Sequence, residues 1–159
     1  AALRGADAAV NCVGTFDRRG RNAFGAVHVE GAARFARLCL EEGVRRAVHV
    51  SALGADPQGA SLYARSKAEG EAEVLRHMPD AAILRPSVLF GPEDAFFNRF
   101  AAMATRSPVL PVVGARTRFQ PAYVDDVAQA AALAATGAAG PGTYSLGGPE
   151  AESFRALME

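Results

Sequence analysis

Three runs of apolar residues mark the first part of the chain as a set of buried strands. The runs cover residues 8–13, 47–53 and 81–90. Because they do not alternate cleanly with polar residues, they suit strands that are buried on both faces, as in a parallel sheet. A further short strand is predicted in the sequence TYSLGG near the end of the chain.

The segments between these runs have the spacing of amphipathic helices. Residues 22–42 place apolar side chains near one stripe with a 3.6-residue period, and Gly43 is a plausible C-terminal stop. Residues 61–77 form a second predicted helix, with Ser61 as its N-cap. Further helices are predicted at residues 93–105, at residues 125–135 and from residue 153 onward.

This order of strands and helices predicts an α/β fold with a parallel sheet and helices on its faces. After residue 106 the chain changes to short apolar pieces separated by Pro and Gly. We therefore assign residues 1–106 to the main α/β part of the fold and residues 107–159 to a mixed region of loops, short strands and helices, within a single domain overall.

Composition and charge exclude several classes of function. The chain is 50% hydrophobic with a formal net charge of zero, which predicts one globular core and no nucleic-acid partner. No apolar run approaches the roughly 20 residues that span a bilayer, so no transmembrane segment is predicted. Cys12 and Cys39 lack metal-ligand spacing and are predicted to be reduced, buried and structural. His49 and His77 have no ligand-spaced partners, and no metal site is predicted.

The one lysine of the chain, Lys67, stands beside sixteen arginines in the sequence YARSK. Tyr63 lies four residues earlier, so both side chains leave the same face of the predicted helix. A nearby ammonium favours a phenolate and lowers a tyrosine pKa, which makes the two residues a workable acid–base pair. A lysine also offers three rotatable donors, which the planar fork of arginine does not replace. The alternative is a surface lysine on an amphipathic helix.

Several segments in a fixed order carry a family resemblance. The YARSK sequence follows VHVSALGAD and precedes ILRPSVLFGPED and AYVDDVAQA. Together these segments resemble the extended and atypical short-chain dehydrogenase/reductases, which include the NAD-dependent epimerase/dehydratase group. Within that group they are similar to the nucleotide-binding accessory subunit of respiratory complex I and its bacterial relatives. The likeness runs over nearly the whole chain, and the ordered set is far more specific than YxxxK alone.

The resemblance implies a Rossmann-like doubly wound sheet, a small substrate-side α/β region and an NAD or NADP cofactor. It makes Tyr63 the general acid/base, and Lys67 the residue that binds the ribose and lowers the Tyr63 pKa. Ser51, at the end of a predicted strand, is the third implied catalytic residue, near the nicotinamide. The implied cofactor-binding residues are Asn11, Val13, Gly14, Lys67, Arg85, Pro86 and Ser87. An ion pair at the edge of the core is the alternative for Arg85.

The chain departs from the family pattern in three places. No glycine-rich phosphate-binding turn such as GxGxxG occurs, which implies that about two βα units of roughly 30 residues each precede this chain and that both its ends lie inside a longer fold. His28 stands where active members often have an Asn that holds a relay water; a packed or solvent-facing histidine is the alternative. Ser51 lies before the position expected for the catalytic hydroxyl, because in many active members the residue that carries this hydroxyl aligns with Ala52 or Leu53.

Two hypotheses about function follow. Tyr63 and Lys67 are present, but the Asn and Ser positions of the family's catalytic residues depart from the pattern. This combination implies an NAD(P)(H)-binding protein with low or no turnover, similar to the complex I accessory subunit. The alternative is an active NAD(P)-dependent oxidoreductase, or a sugar-nucleotide epimerase/dehydratase, with Tyr63 as general acid/base. The implied partners are a dinucleotide and a respiratory complex or membrane-peripheral protein, in the cytoplasm or at the inner membrane. Heavy use of alanine and arginine indicates a GC-rich bacterial genome.

Two other groups of residues receive a structural interpretation. The acidic pairs at 125–126 and 93–94 are interpreted as helix caps and partners of the helix dipole. Phe96, Phe97 and Phe100 have helical spacing and are predicted to form core or one wall of a substrate pocket.

Overall fold

The predicted parallel α/β fold is present in the computed structural model, which describes residues 3–106 and 114–158. Predictions for residues 107–113 lie outside the described residues. The elements in chain order are β1 (Ala8–Asn11), a 3₁₀ turn (Gly20–Asn22), a π-helical turn (Gly25–Glu30), α1 (Gly31–Glu41), β2 (Arg46–Val50), α2 (Leu62–His77), β3 (Ala82–Pro86), β4 (Leu89–Phe90), α3 (Phe97–Ala104), β5 (Arg118–Phe119), β6 (Ala122–Tyr123), α4 (Val124–Thr136), β7 (Gly142–Leu146), β8 (Glu152–Ser153) and a 3₁₀ turn (Ala156–Met158).

Within the described ranges, four strands form one parallel sheet in the order β1-β2-β3-β7. The register pairs Val10 with Val48 and His49 with Ile83 across the first three strands. Because all four strands run the same way, their carboxyl ends meet at one edge of the sheet. In open α/β sheets this is the edge where ligands bind.

Helices cover both faces of this sheet. On one face α1 and α2 pack over Ala9, Ala47 and Ile83, and on the other face α4 packs over Val48 and Leu84. Successive residues of a strand point to opposite faces, which is why the neighbours Ala47 and Val48 enter different cores. The doubly wound arrangement predicted from the sequence is confirmed.

The segment predicted as one helix over residues 22–42 is divided in three: a 3₁₀ turn, the π-helical turn and α1. The Gly31 N–H donates to the Ala26 carbonyl oxygen, five residues back, at the end of the π-helical turn. The predicted stop is confirmed: Gly43 has a φ of 71°, and the N–H groups of Gly43 and Val44 donate to the carbonyl oxygens of Leu40 and Cys39. This pair of bonds is a Schellman motif.

The α2 helix begins and ends where the sequence predicted. The Ser61 hydroxyl oxygen accepts a hydrogen bond from the Ala64 N–H at 3.0 Å, which confirms the N-cap. Midway along α2, Gly70 lies against the backbone of the π-helical turn, and a Cβ built there would be 2.1 Å from the His28 carbonyl oxygen. The glycine inside this helix is therefore required by close backbone packing rather than by a bend.

The C-terminal segment differs from its prediction. Residues after 153 were expected to start a helix, but β8 pairs antiparallel with β5 and only a 3₁₀ turn follows. The reason is tertiary, because Phe154 is buried against the rings of Phe96, Phe100 and Phe119. This contact overrides the weak local helix preference. Among the helices described in residues 3–106 and 114–158, none has the length and apolarity to cross a membrane.

Candidate active site

A cavity of about 1320 Å³ opens at the carboxyl ends of the parallel strands. Its size exceeds the range of roughly 300–1,000 Å³ that is usual for small-molecule sites. It is lined by seven of the nine residues predicted as site residues: Val13, Gly14, Ser51, Tyr63, Lys67, Pro86 and Ser87. The fold thus brings together residues that are far apart in the sequence.

Tyr63 is half-buried among three aromatic rings. The Phe16 ring stacks on it at a centroid distance of 5.3 Å, and the rings of Phe24 and His28 meet it edge-on at 5.7 and 5.5 Å. Burial raises the pKa of Tyr63. The prediction that Lys67 lowers this pKa is wrong for this structure, because desolvation of the phenol decides the direction.

Lys67 is buried, with only 5% of its surface exposed. Its Nζ donates one hydrogen bond to the Val50 carbonyl oxygen at 3.0 Å. Burial lowers the Lys67 pKa, and the charge of Glu71, one turn further along α2, opposes that change. The interpretation as a surface lysine is excluded, and within the described residues two of the three ammonium donors have no hydrogen-bond partner.

Ser51 follows β2 and presents a hydroxyl to the same cavity. The residue is 5% exposed, and its backbone N–H donates to the Leu84 carbonyl oxygen at 2.7 Å. Its Oγ has no hydrogen-bond partner in the part of the chain that the structure describes. Leaving a buried hydroxyl unpaired costs about 1–3 kcal/mol, so this atom points to a ligand with a polar group.

Two predicted cofactor residues, Asn11 and Arg85, do not line the cavity. The Asn11 Nδ2 donates to His49 Nδ1 at 3.1 Å, and its Oδ1 accepts from the Val13 N–H at 3.1 Å. This shapes the turn that carries Val13 into the cavity wall. Arg85 instead forms a two-point ion pair with Glu71, with N–O distances of 2.9 and 2.6 Å. The alternative interpretation of Arg85, an ion pair at the core edge, is what the structure shows.

His28 is packed and fully hydrogen-bonded. Its Nε2 accepts from the Thr15 N–H at 3.1 Å, so the ring proton is on Nδ1 and is donated to Ser66 Oγ at 2.9 Å. The Ser66 hydroxyl in turn donates to the Tyr63 carbonyl oxygen at 2.9 Å. With both nitrogens engaged, neither is left to hold a relay water. The packed alternative for His28 is confirmed.

The two cysteines have different environments. Cys39, on α1, is buried in the hydrophobic core, as predicted. Cys12 is exposed and lines the cavity. The prediction that Cys12 is buried is wrong because β1 ends at Asn11, which leaves Cys12 in the loop at the sheet edge.

The phenylalanine cluster is half-buried and lies between two cavities. Phe96 lines the main cavity, and it also packs in a ring cluster with Phe100 and Phe154 at 5.5 and 5.7 Å. Phe97 lines a second, smaller cavity of about 510 Å³. The predicted capping role of residues 93–94 is met by Asp94, whose Oδ1 accepts from the Phe97 N–H at 2.6 Å. The 125–126 pair lies in the first turn of α4, as expected of dipole partners, but the N-cap residue is Tyr123 and no side chain caps this helix, so the capping interpretation is wrong.

Residues 54–156 match the RmlD substrate binding domain, which covers well over half of the chain. The chain belongs to the RmlD substrate binding domain family. This membership confirms the resemblance to the epimerase/dehydratase group of the short-chain dehydrogenase/reductases.

Among curated relatives of this RmlD-family chain is the Arabidopsis thaliana "NADH dehydrogenase [ubiquinone] 1 alpha subcomplex subunit 9, mitochondrial". It is 39% identical over 132 residues, which cover 80% of this chain and 33% of the relative. The "Ceramide reductase" of Caulobacter vibrioides is 34% identical over 125 residues, covering 79% of this chain and 39% of the relative. The chain therefore spans between a third and two fifths of these relatives.

A solved structure with the same fold is that of MoeE5 in complex with UDP-glucose and NAD. It superposes with a TM-score of 0.85 at 20% sequence identity, over 98% of this chain and 61% of MoeE5. At that identity the likeness establishes the Rossmann-type fold of this RmlD-family chain.

Sequence reasoning missed Phe16 as a site residue of this RmlD-family chain. Its side chain is 85% exposed, yet it lines the cavity and stacks on Tyr63. The available signal was an aromatic residue in the polar loop directly after a strand end, where the side chain has no core to enter.

We expect the stability of this RmlD-family chain to fall in acid through His49. Burial, then the charges of Lys67 and His28, lower the His49 pKa from 6.5 to about 4. Stability from this group is complete above the unfolded pKa and is lost as pH falls from 6.5 toward 4. Urea unfolding at pH 7 and pH 4.5 should differ by about 2–3 kcal/mol from this group. The His49→Asn variant should show a pH dependence smaller by that amount; an identical dependence would contradict the assignment.

Proposed function

We propose that the cavity binds a nicotinamide dinucleotide, NAD or NADP. Residues 1–106 provide the dinucleotide side, and residues 107–159 belong partly to the substrate side. The observation that carries the proposal is the buried Lys67 ammonium, which has a single backbone partner within the described residues and lies in the same cavity as the unpartnered Ser51 hydroxyl. The NAD held by MoeE5 on the same fold supports this cofactor.

The residues at the cavity edge fit such a ligand. Lys67 has donors to spare for two ribose hydroxyls, and Val13 and Gly14 offer backbone against which a flat ring can lie. The Gly14 backbone is open, since a Cβ built there would meet only His28 Nε2, at 4.0 Å. Pro86 and Ser87, at the end of β3, would flank the nicotinamide. Asn11 and Arg85 would act indirectly, by holding these elements in place.

As biological role we favour an accessory subunit of a respiratory complex with low or no turnover, peripheral to the inner membrane of a bacterium. The name of the Arabidopsis relative supports the respiratory partner. Low turnover in the oxidative direction, where Tyr63 would act as the base, is supported by burial of Tyr63, which raises its pKa. His28 supports it too, since both its nitrogens are already bonded.

A second candidate is an active NAD(P)-dependent oxidoreductase, with an epimerase/dehydratase as a variant of it. The observation that favours it is that Ser51, Tyr63 and Lys67 line one cavity. A bound nicotinamide would supply or accept hydride. Tyr63 would then give a proton to the substrate oxygen or take one from it, and the Ser51 hydroxyl would donate a hydrogen bond to that oxygen.

Titration of NADH and NADPH into the full-length protein tests the cofactor. We expect a saturable change in the fluorescence of the reduced nicotinamide for at least one of them, and the ratio of their affinities decides between NAD and NADP. Absence of binding by both would reject the proposal.

Replacement of Tyr63 by Phe separates the two candidates. For the accessory subunit we expect dinucleotide affinity within about twofold of the parent, because the hydroxyl contributes proton transfer rather than binding. For an active enzyme, turnover should fall by about 10²–10⁴-fold, the usual contribution of a positioned acid or base. Affinity is measured by fluorescence and turnover by absorbance of the reduced nicotinamide, with Ser51→Ala as a parallel variant.

A further inference from the structure

One wall of the cavity differs chemically from the part that we assign to the dinucleotide. It is contributed by β4, β5, β6 and the segments that lead into α3 and α4, and we call it the substrate-side wall. Its apolar and aromatic members are Val88, Leu89, Phe96, Phe119, Tyr123 and Val124, and the Tyr123 hydroxyl is hydrogen-bonded to Asp125. The wall is backed by the ring cluster, in which Phe96 and Phe119 lie 5.7 and 5.6 Å from the buried Phe154.

The charges on this wall are mainly negative. Glu93, Asp94 and Asp125 line it, and in the described part of the lining Arg118 is their one cationic counterpart on the wall. Lys67 is held at the Val50 carbonyl oxygen, in the part of the cavity assigned to the ribose.

Arg118 and Gln120, the nitrogen donors of the wall, each donate one hydrogen bond to the backbone. The Arg118 Nη2 donates to the Ala151 carbonyl oxygen at 2.5 Å, and the Gln120 Nε2 donates to the Gly148 carbonyl oxygen at 2.5 Å. A diphosphate is bound by arginine forks, lysines or free N–H groups at a helix N-terminus. At the start of α4, the acidic side chains of Asp125 and Asp126 occupy the first turn instead.

We infer that the substrate-side wall binds an uncharged, largely apolar carbonyl or alcohol compound, and not a nucleoside diphosphate sugar. The inference rests on the proposed function and names the class of ligand held beside the dinucleotide. The oxygen of such a compound would meet the unpartnered Ser51 hydroxyl and the Tyr63 hydroxyl, and its apolar body would lie on Phe96, Phe119 and Leu89. A diphosphate would lie beside a wall that carries three carboxylates and one guanidinium, and the net negative charge of the wall would repel it.

Saturation-transfer NMR on the full-length protein tests this with three probes: 2-decanone, the decanoate anion and UDP-glucose, each with and without saturating NADH. We expect transfer to 2-decanone to exceed transfer to decanoate and UDP-glucose by several-fold. Phe96→Ala should reduce the ketone signal several-fold, whereas Leu40→Ala should leave it unchanged, because Leu40 is an exposed apolar residue of α1 outside the cavity lining. Stronger transfer to UDP-glucose, or a ketone signal insensitive to Phe96→Ala, would overturn the inference.

A substitution at the surface tests the same inference in case the Phe96 variant does not fold. Glu93 is exposed, and Glu93→Arg replaces a carboxylate of the wall by a guanidinium. At low ionic strength this should raise the UDP-glucose signal several-fold, and an unchanged signal would contradict the charge argument. NADH titration of the same samples is a separate readout: ketone binding without NADH binding rejects the dinucleotide proposal, and NADH binding with preferred UDP-glucose rejects this one.

Discussion

Replacement of Lys67 by Ala should weaken dinucleotide binding by about 10–100-fold. The ammonium is buried and donates to the Val50 carbonyl oxygen, and Lys67 lines the cavity. Hydrogen bonds from a charged donor contribute roughly 1.5–3 kcal/mol, which corresponds to that loss of affinity. Fluorescence titration of NADH and NADPH into the full-length protein measures it.

Two variants make the Lys67 result specific. Lys67→Arg keeps the positive charge, but its planar fork needs a different geometry in a buried site, so we expect it to restore little of the affinity. Arg76→Ala removes one positive charge from the exposed side of the same helix, where Arg76 pairs with Glu73, and should leave affinity unchanged. Equal losses in the Lys67 and Arg76 variants would show that only the net charge matters.

Replacement of Gly70 by Ala should destabilise the fold by about 2–3 kcal/mol. In an exposed helix this change is stabilising by up to about 1 kcal/mol. Here the new Cβ would lie 2.1 Å from the His28 carbonyl oxygen and 3.2 Å from its carbonyl carbon. Both are backbone atoms that cannot turn aside, so α2 has to move away from the π-helical turn. Overpacking of this kind usually costs about 1–3 kcal/mol.

Urea unfolding of the parent, Gly70→Ala and Gly25→Ala measures this cost. Gly25 is the matched control, because it lies in the same π-helical turn and a Cβ there would meet no atom within 4 Å. We expect Gly25→Ala to change the free energy of unfolding by less than about 1 kcal/mol. A Gly70→Ala protein as stable as the parent would mean that α2 and the turn do not pack as described.

The parts of the site that follow from periodicity were predictable from the sequence. Tyr63 and Lys67 share a helix face at a spacing of four residues, and Ser51 follows a strand, so their meeting at the sheet edge needed only the α/β order of elements. The start of α2 was predictable as well, because Ser61 caps the helix through a local hydrogen bond. Its end was predictable because Pro79 follows it closely.

The parts that depend on long-range partners were not predictable. Arg85 could not be assigned to Glu71 or to a cofactor from the sequence, because the two residues lie on different elements. The direction in which the Tyr63 pKa shifts depends on burial by Phe16 and Phe24. These residues lie in the loop after β1 and in the segment before α1. Likewise, the π-helical turn packs closely against α2 at Gly70, a contact between distant segments, whereas its sequence has a regular helical period.

The burial of Lys67 also lowers the reactivity of the chain toward amine-specific reagents. With one lysine in the sequence, and that residue 5% exposed, the side chains at the surface offer guanidinium groups in place of primary amines. The one side-chain amine of this sequence that acetylating reagents, amine cross-linkers and lysine-directed proteases could attack is therefore the buried Lys67, which lines the cavity. A molecule seated there would shield the amine, so the rate of Lys67 acylation should fall as the site is filled.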